Sequence, residues 1–465
     1  MANSYLERTS GTATSTQIFT VSTWVKQCLN PQGATDQAIW GVGSSNQNLT
    51  YLRLRSADNQ LQLYMEESGT EKANYRTSRL LRDTSGFYHI VLAVDTTQAS
   101  SSDRIKIYIN GTQETSFTSS VTPAQNHSVA YLSSNLINIG RRPHANNNYL
   151  NGYLSHLSFV DGQALAPTVF GETDSTTGQW KFKSPSGVTW GNNGFHLKFE
   201  NSGNLGLDSS GRGNNFTTNG DLKQALDTPS NVHCTLNPLD NIYGNSTLIN
   251  GNNTQSQVSS SGNFSPLTGT LGFSAGKWYW EMKCTSNSSN SDYWYGMGIA
   301  SSQTTASDMY LGKNANDYGV FGYAYATGKA ATYTGNSRTD QGTSFQTGDI
   351  IGCAVDCDNN ALYMHKNGVY MPDSGGVTGV PTSGASRTGA LFDITAPANT
   401  DRGFYFPALC YFDVRTAIQD VNFGNGYFGQ TAITSAGSNG NGSLFEYDVP
   451  SGYYALNTKN INTYG

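Results

Sequence analysis

No stretch of a dozen residues in this 465-residue chain keeps an apolar 3.6-residue period without a break by Gly, Pro or a run of Asn, Ser and Thr. Helices therefore have little to form from. Alternation at period two is present instead along most of the chain. In Lys277–Cys284, Trp278, Trp280, Met282 and Cys284 share one face, and Lys277, Tyr279, Glu281 and Lys283 take the other. This pattern predicts an antiparallel strand with one face in a core and one in solvent. Arg104–Thr112 alternates likewise and then reaches Asn110-Gly111, a pair whose tolerance of positive φ suits a two-residue hairpin turn. Ala361–Tyr370 repeats the device with Asn367-Gly368. One such hairpin in each half predicts two separate all-β domains.

Composition narrows the class. Gly is 51 of 465 residues and charged residues are 13%, against about 7% and 25% in average globular chains. Aromatic residues reach 12%, which opposes disorder. At about 150 residues per domain the length accommodates two or three domains. The net charge is -6, and no basic cluster exceeds Arg141-Arg142, so no stripe exists to track phosphates and nucleic acid is not an expected partner. Met1–Arg8 has neither a basic start nor an apolar run, so synthesis in a cytoplasm is expected. The densest apolar stretch, Phe404–Phe412, is far shorter than the roughly 20 residues a membrane helix needs, and no membrane partner is expected. Cys28, Cys234, Cys284, Cys353, Cys357 and Cys410 form no disulfide framework and no zinc set, and read as reduced, buried small hydrophobes.

Turn residues thicken between about 166 and 228, yet pieces such as Phe195–Phe199 remain apolar, so this region reads as an ordered connector. A Gly/Ser/Asn stretch at Ser435–Ser443 sets off the C-terminal residues. The expected organisation is a sandwich over 1–165, a connector over 166–228, a second sandwich over 229–430 and a tail over 431–465: an all-β chain of two antiparallel β-sandwich domains of jelly-roll type.

Catalytic motifs fail their structural context. Gly272–Gly276 matches G-x-S-x-G, but a strand pattern follows where a nucleophile elbow needs a helix. Gly424–Gly429 matches G-x-G-x-x-G without a following helix to hold a phosphate. Glu66 and Glu67 are adjacent, hence on opposite faces, and Glu281 is followed by Lys283, so the paired acids of a glycanase are missing. The chain reads as non-enzymatic, with no catalytic residue and no cofactor.

Binding chemistry is better represented. Sugar CH faces stack on aromatic rings while hydroxyl groups need planar amide, carboxylate or guanidinium partners. In the second half Trp294, Tyr323, Tyr325, Tyr333, Asn336 and Arg338 supply both kinds of group, and in the first half Arg141, Arg142, His144, Asn146 and Asn147 crowd one predicted loop. His89 alternates with Val91 and Ala93 and reads as a packed strand residue.

The segments Phe19–Val25, Phe87–Asp95, Ile107–Gly111 and Leu150–Gly162 resemble, in order, the laminin-G-like or concanavalin A-like jelly roll. Gly276–Glu281, Tyr295–Ala300, Tyr318–Tyr323, Gly348–Asp356 and Leu362–Gly368 resemble a SPRY domain. The pairing of the two, with the joining stretches Leu207–Thr217 and Thr228–Asp240 and the closing Pro450–Thr458, resembles virion structural proteins of tailed phages. That resemblance implies a location in the virion, self-association into a homo-oligomer, and as partners a host surface glycan and other virion proteins. It implies a tail or fibre adhesion component, with a capsid or tail decoration protein as the alternative and a glycan-degrading tail enzyme as a second one. Some laminin-G-like sites hold calcium, which gives Asp95, at the end of its strand, a possible metal role.

Overall fold

The computed structural model describes residues 3–28, 35–240, 246–257, 264–287, 294–302, 309–322, 328–411 and 416–465. The chain divides into two compact units, Met1–Gln224 and Ala225–Gly465. Both are almost entirely β. No helix among the described residues is long and apolar enough to cross a membrane.

In the first unit an eight-stranded sheet runs Phe117–Val121, Thr70–Leu80, Gln60–Glu67, Asn48–Leu54, Gln37–Ser45, Leu136–Ile139, Tyr5–Thr9, Thr217–Asn219. A six-stranded sheet runs Phe195–Leu197, Gly152–Asp161, Ile18–Gln27, Tyr88–Asp95, Ile105–Ile109, Thr112–Gln113. Alternate residues of both sheets, among them Val21, Val25, Trp40, Leu52, Leu63, Ile90, Leu92, Ile107 and Phe159, build the core. The Asn110-Gly111 turn forms as expected, with φ of 50° and 79°. Asn110 is fixed by accepting the His89 amide at its Oδ1, 2.8 Å away.

Residues 166–228, expected as a connector, contribute edge strands to both sheets. Leu157–Phe159 pairs with Phe195–Leu197, and Tyr5–Glu7 pairs with Thr217–Asn219. Between them the antiparallel pair Gly171–Thr173 and Trp180–Phe182 crosses the outer face of the six-stranded sheet. Phe170 and Trp190 pack there against Val91 and Val160.

The second unit has a nine-stranded sheet along Ser246–Ile249, Thr254–Gln257, Ala417–Asn422, Lys277–Asn287, Ile350–Asp356, Ala361–Lys366 and Val369–Tyr370, with Phe392–Asp393 and Tyr454–Ala455 pairing off this path. Its partner is a six-stranded sheet of Leu267–Thr268, Phe406–Tyr411, Tyr295–Ala300, Tyr318–Phe321, Ala330–Thr334 and Ser337–Gln341. Trp278, Trp280, Met282 and Cys284 enter the core between them, as the alternation requires. All six cysteines are buried.

The opposite face of Lys277–Asn287 departs from expectation. Tyr279 and Glu281 are not in solvent: both are 0% exposed. The C-terminal residues, expected as a tail, cover them. Phe445, Val449, Tyr453 and Ala455 form a second core with Tyr279, Ala354, Ala361 and Tyr363, and burying each large side chain contributes about 1.5–3 kcal/mol. These anchors follow the Gly/Ser/Asn stretch Ser435–Ser443 and are interrupted by Glu446-Tyr447-Asp448 and Pro450-Ser451-Gly452, which hides the segment's apolar character from a reading by composition. The start and end of the unit are stitched together by Cys234 N–H to Leu456 O at 3.0 Å and Thr458 N–H to Val232 O at 2.9 Å. A short helix, Thr458–Tyr464, follows, with the Asn457 side chain accepting from Asn460 N–H at its start.

Candidate binding sites

On the second unit, five aromatic rings gather on the outer face of the six-stranded sheet. The alternation of Tyr295–Ala300 sends Tyr295, Met297 and Ile299 into the core and leaves Gly296, Gly298 and Ala300 outside. The small outer residues make room: a Cβ on Gly296 would lie 2.5 Å from the Phe321 ring. Phe321 is fully buried and carries half-buried rings around it. Trp294 stands 6.1 Å and Tyr333 5.6 Å from it between ring centres. Tyr310 lies 5.1 Å from Tyr333, and Phe264 lies 5.0 Å from Tyr310. These are the tilted and edge-on spacings that aromatic pairs prefer.

The polar rim comes from the hairpin joining Ala330–Thr334 to Ser337–Gln341. Gly335 and Asn336 turn it with positive φ, 54° and 63°. Asn336 Oδ1 accepts the Tyr310 hydroxyl at 2.6 Å, and Arg338 Nε donates to Asp340 at 2.7 Å. Of the residues singled out in sequence, the structure thus joins Trp294, Tyr333 and Asn336 through shared rings, with Arg338 cross-strand from Tyr333. Tyr323 and Tyr325 lie outside the described residues. Sequence reasoning missed Phe264, Tyr310 and Phe321. The alternation in Tyr318–Phe321 could have placed Phe321 outside, whereas Phe264 and Tyr310 sit in polar stretches with no periodicity to mark them.

On the first unit, the loop holding Arg141, Arg142, His144 and Asn146 is folded down onto the outer face of the eight-stranded sheet. Gly41 makes the approach possible, since a Cβ there would lie 2.8 Å from the Pro143 ring. Arg141, 7% exposed, stacks its guanidinium 3.6 Å over the Tyr5 ring and reaches Glu7 and Asn146 at 3.4 Å. His144 Nε2 donates to Gly43 O at 2.6 Å. Arg142 lies 5.7 Å from the Tyr51 ring, which Arg53 covers at 4.9 Å. Arg141 and His144 therefore spend their polar groups holding the loop, while Asn146 and Asn147 stay exposed. The sheet residues that receive the loop, Tyr5, Gly41 and Tyr51, carry no local sequence signal for it.

Two acids bear on chemistry. Burial pushes the Glu281 carboxyl up to about 7, within the range of a general base. Its oxygens, however, accept the Tyr279 hydroxyl and the amides of Glu446 and Tyr447, each at 2.9 Å, under the covering segment, an arrangement that clamps a chain and offers no approach for a substrate. Asp95 spends both oxygens on its own turn, accepting from Thr97 N–H, Thr97 Oγ1 and Gln98 Nε2. Among the described residues no three His, Cys, Asp or Glu side chains converge as a metal-binding group.

Comparison with known proteins follows the same division. Residues 1–170 match the concanavalin A-like lectin/glucanases superfamily, and residues 277–399 match the SPRY domain. The chain carries a concanavalin A-like domain and a SPRY domain. It is 33% identical over 96 residues to the Ran-binding proteins 9/10 homolog of Drosophila melanogaster, an alignment covering 21% of this chain and 9% of that protein. The chain thus spans less than a tenth of that relative. Among solved structures, the SPRY domain of human HERC1 is 14% identical, covering 38% of this chain and 91% of that one with a TM-score of 0.28. The heptameric SAP-like pentraxin of Limulus polyphemus is 18% identical, covering 35% and 71% with a TM-score of 0.26. The ring cluster includes SPRY-domain residues Trp294, Tyr310, Phe321 and Tyr333. The segment over Tyr279 and Glu281 lies beyond the residues matched to the SPRY domain.

Proposed function

We propose that this chain is a non-enzymatic binding protein whose SPRY domain offers the Trp294, Tyr310 and Tyr333 rings to a surface glycan. Concanavalin A-like and SPRY domains are typically non-catalytic binding domains. The observation that carries the reading is the half-buried ring cluster with its amide, guanidinium and carboxylate rim. Rings accept the CH face of a sugar, and Asn336, Arg338 and Asp340 supply the planar partners that hydroxyl groups need. The setting we propose is a virion surface, on the resemblance of the paired domains and their joining motifs to tailed-phage structural proteins. Adhesion to a host is then the role.

A second reading, docking onto another virion subunit, is favoured by the outermost strand Ser337–Gln341, which has a strand partner on one side only within the described sheet. A glycan array probed with the unchanged protein and with Trp294→Ala, Tyr310→Ala and Tyr333→Ala separates the two. The adhesion reading expects a bound glycan and at least a tenfold loss in each variant. Undiminished binding in all three rejects the site, and no bound glycan together with density for the chain seated on another subunit in electron micrographs of particles favours docking.

A further inference from the structure

We propose that the segment from Phe170 to Trp190 is an acid-released strap, held across the outer face of the first unit's six-stranded sheet by three histidines in their neutral form. The proposal is independent of what the SPRY domain binds. Three of the chain's seven histidines lie under this one segment, each against a different ring of it. Trp180 Nε1–H donates to His89 Nδ1 at 2.9 Å. His89 Nε2 lies 2.9 Å from Ser22 Oγ, and Trp24 stacks beneath the imidazole at 4.6 Å. Phe182 stacks on His156 at 3.7 Å, and Trp190 stacks on His196 at 5.8 Å. His156 Nδ1 and His196 Nε2 face each other at 3.4 Å.

The indole of Trp180 has a built seat. A Cβ on Gly111 would lie 2.6 Å from it and one on Gly171 2.5 Å, so the ring occupies space that two glycines leave. The strap beyond Phe170 lies past the residues matched to the concanavalin A-like superfamily.

This geometry requires uncharged rings. An indole N–H only donates, so His89 Nδ1 must be bare to receive it. A second proton on His89 turns that contact into two opposed donors and places a charge beneath apolar rings. Between His156 and His196 one nitrogen donates and the other accepts, so a proton on both breaks the pair. The groups facing His89 are Ser22 and Trp24 from one neighbouring strand, Asn110 from the hairpin and Trp180 from the strap, none of them charged. Those facing the other pair are Lys198, Glu200 and Asp208, and Asp208 already accepts the His196 amide at 2.9 Å. The strap's Glu172, Asp174 and Lys181 pair with one another, and Lys183 Nζ donates to Thr168 O at 3.2 Å. Burial draws His89 down to about 3 and His156 and His196 down to about 4. The hold is therefore intact above the ordinary histidine value of 6.5 and is withdrawn as pH falls below it.

Hydrogen exchange read by mass spectrometry on the full chain at pH 7.5 and 4.5, corrected for intrinsic rates, tests the strap. Peptides covering 171–183 are expected to exchange at least tenfold faster at pH 4.5, while peptides from Gln37–Glu67 keep their protection. Equal protection of the strap at both pH values overturns the proposal, as does simultaneous loss in strap and sheet. Two variants isolate the latch. His89→Gln can still accept from Trp180 and donate to Ser22 without titrating, and it should shrink the acid response. Trp180→Phe keeps a ring in the seat without the donor and should raise strap exchange at pH 7.5. A Trp180→Phe strap as protected at pH 7.5 as the unchanged one, and opening by the same factor, contradicts the proposal even if His89→Gln does not fold.

Discussion

The two units close one sheet face in the same way and hold the closure by different chemistry. In the first, Trp180 lies on Gly111 of an Asn-Gly hairpin; in the second, Tyr447 lies on Gly368 of the other, where a Cβ would come within 2.7 Å of its ring. Each hairpin asparagine also accepts a backbone amide at 2.8 Å, from His89 and from Ile350. Beneath Trp180 the holding group is a neutral imidazole. Beneath the C-terminal strap it is Glu281, which accepts two strap amides and the Tyr279 hydroxyl, while His365 Nε2 donates to Tyr279 at 2.6 Å and His365 Nδ1 accepts Gly368 N–H at 3.1 Å. A shared seat for a ring therefore does not fix how a closure responds to protons; the groups under the ring do.

The largest effect that sharpens this comparison comes from apolar anchoring. Phe445→Ala removes a buried ring packed edge-on to Tyr279 at 4.9 Å and should cost the second unit about 3–5 kcal/mol, read as a lower urea midpoint. A cost below about 1 kcal/mol would mean that the C-terminal strap is not part of that unit's core.

Protons act next, and with opposite signs. His89 and His196, drawn down by burial to about 3 and 4, each withdraw about 2 kcal/mol from closure of the first unit's strap on going from pH 7.5 to 5. Glu281 is raised to about 7, so its contribution is full below the ordinary carboxyl value of 4.5 and is withdrawn as pH rises through 7. Acidification to pH 5 therefore returns about 2 kcal/mol to the second unit. His365, drawn down by burial to about 4, takes back a similar amount. The second unit should be nearly flat over this range. Glu281→Gln removes the gain and leaves the His365 loss, so the C-terminal strap should become acid-sensitive; hydrogen exchange of 444–456 in that variant at pH 7.5 and 5 checks it.

The smallest effects come from the turns. Gly111→Ala and Gly368→Ala both force a Cβ into positive φ, 79° and 83°, at about 1–2 kcal/mol each. Gly111→Ala should cost more, because the Trp180 indole is confined by Gly171 as well. Equal thermal shifts in the two variants would remove the seat from the comparison.

How much of this was readable in sequence follows from how local each cause is. The all-β class was legible because period-two alternation and Asn-Gly turns act within a few residues. Trp294, Tyr333, Asn336 and Arg338 were legible as ring and rim chemistry, though not the Phe321 and Tyr310 rings that bind the cluster together. The burial of Tyr279 and Glu281 was not legible: the segment that covers them reads as Gly/Ser-rich tail, and its anchors Phe445, Val449 and Tyr453 mean nothing until the sheet face exists. Arg141 and His144 read as loop residues open to a ligand; Arg141 is instead buried, and the exposed His144 spends its Nε2 on Gly43 O, because Gly41 and Gly43, far off in sequence, leave space and backbone for the loop. His89 was legible as a packed residue, but its indole partner lies in a segment that looked like a connector.

The most direct measurement of the account is hydrogen exchange of both straps in the same full-length sample, stepped from pH 7.5 to 4.5. Residues 171–183 are expected to lose protection while 444–456 keep it down to about pH 5. Loss of protection in both straps at one pH, or in 444–456 alone, would contradict it.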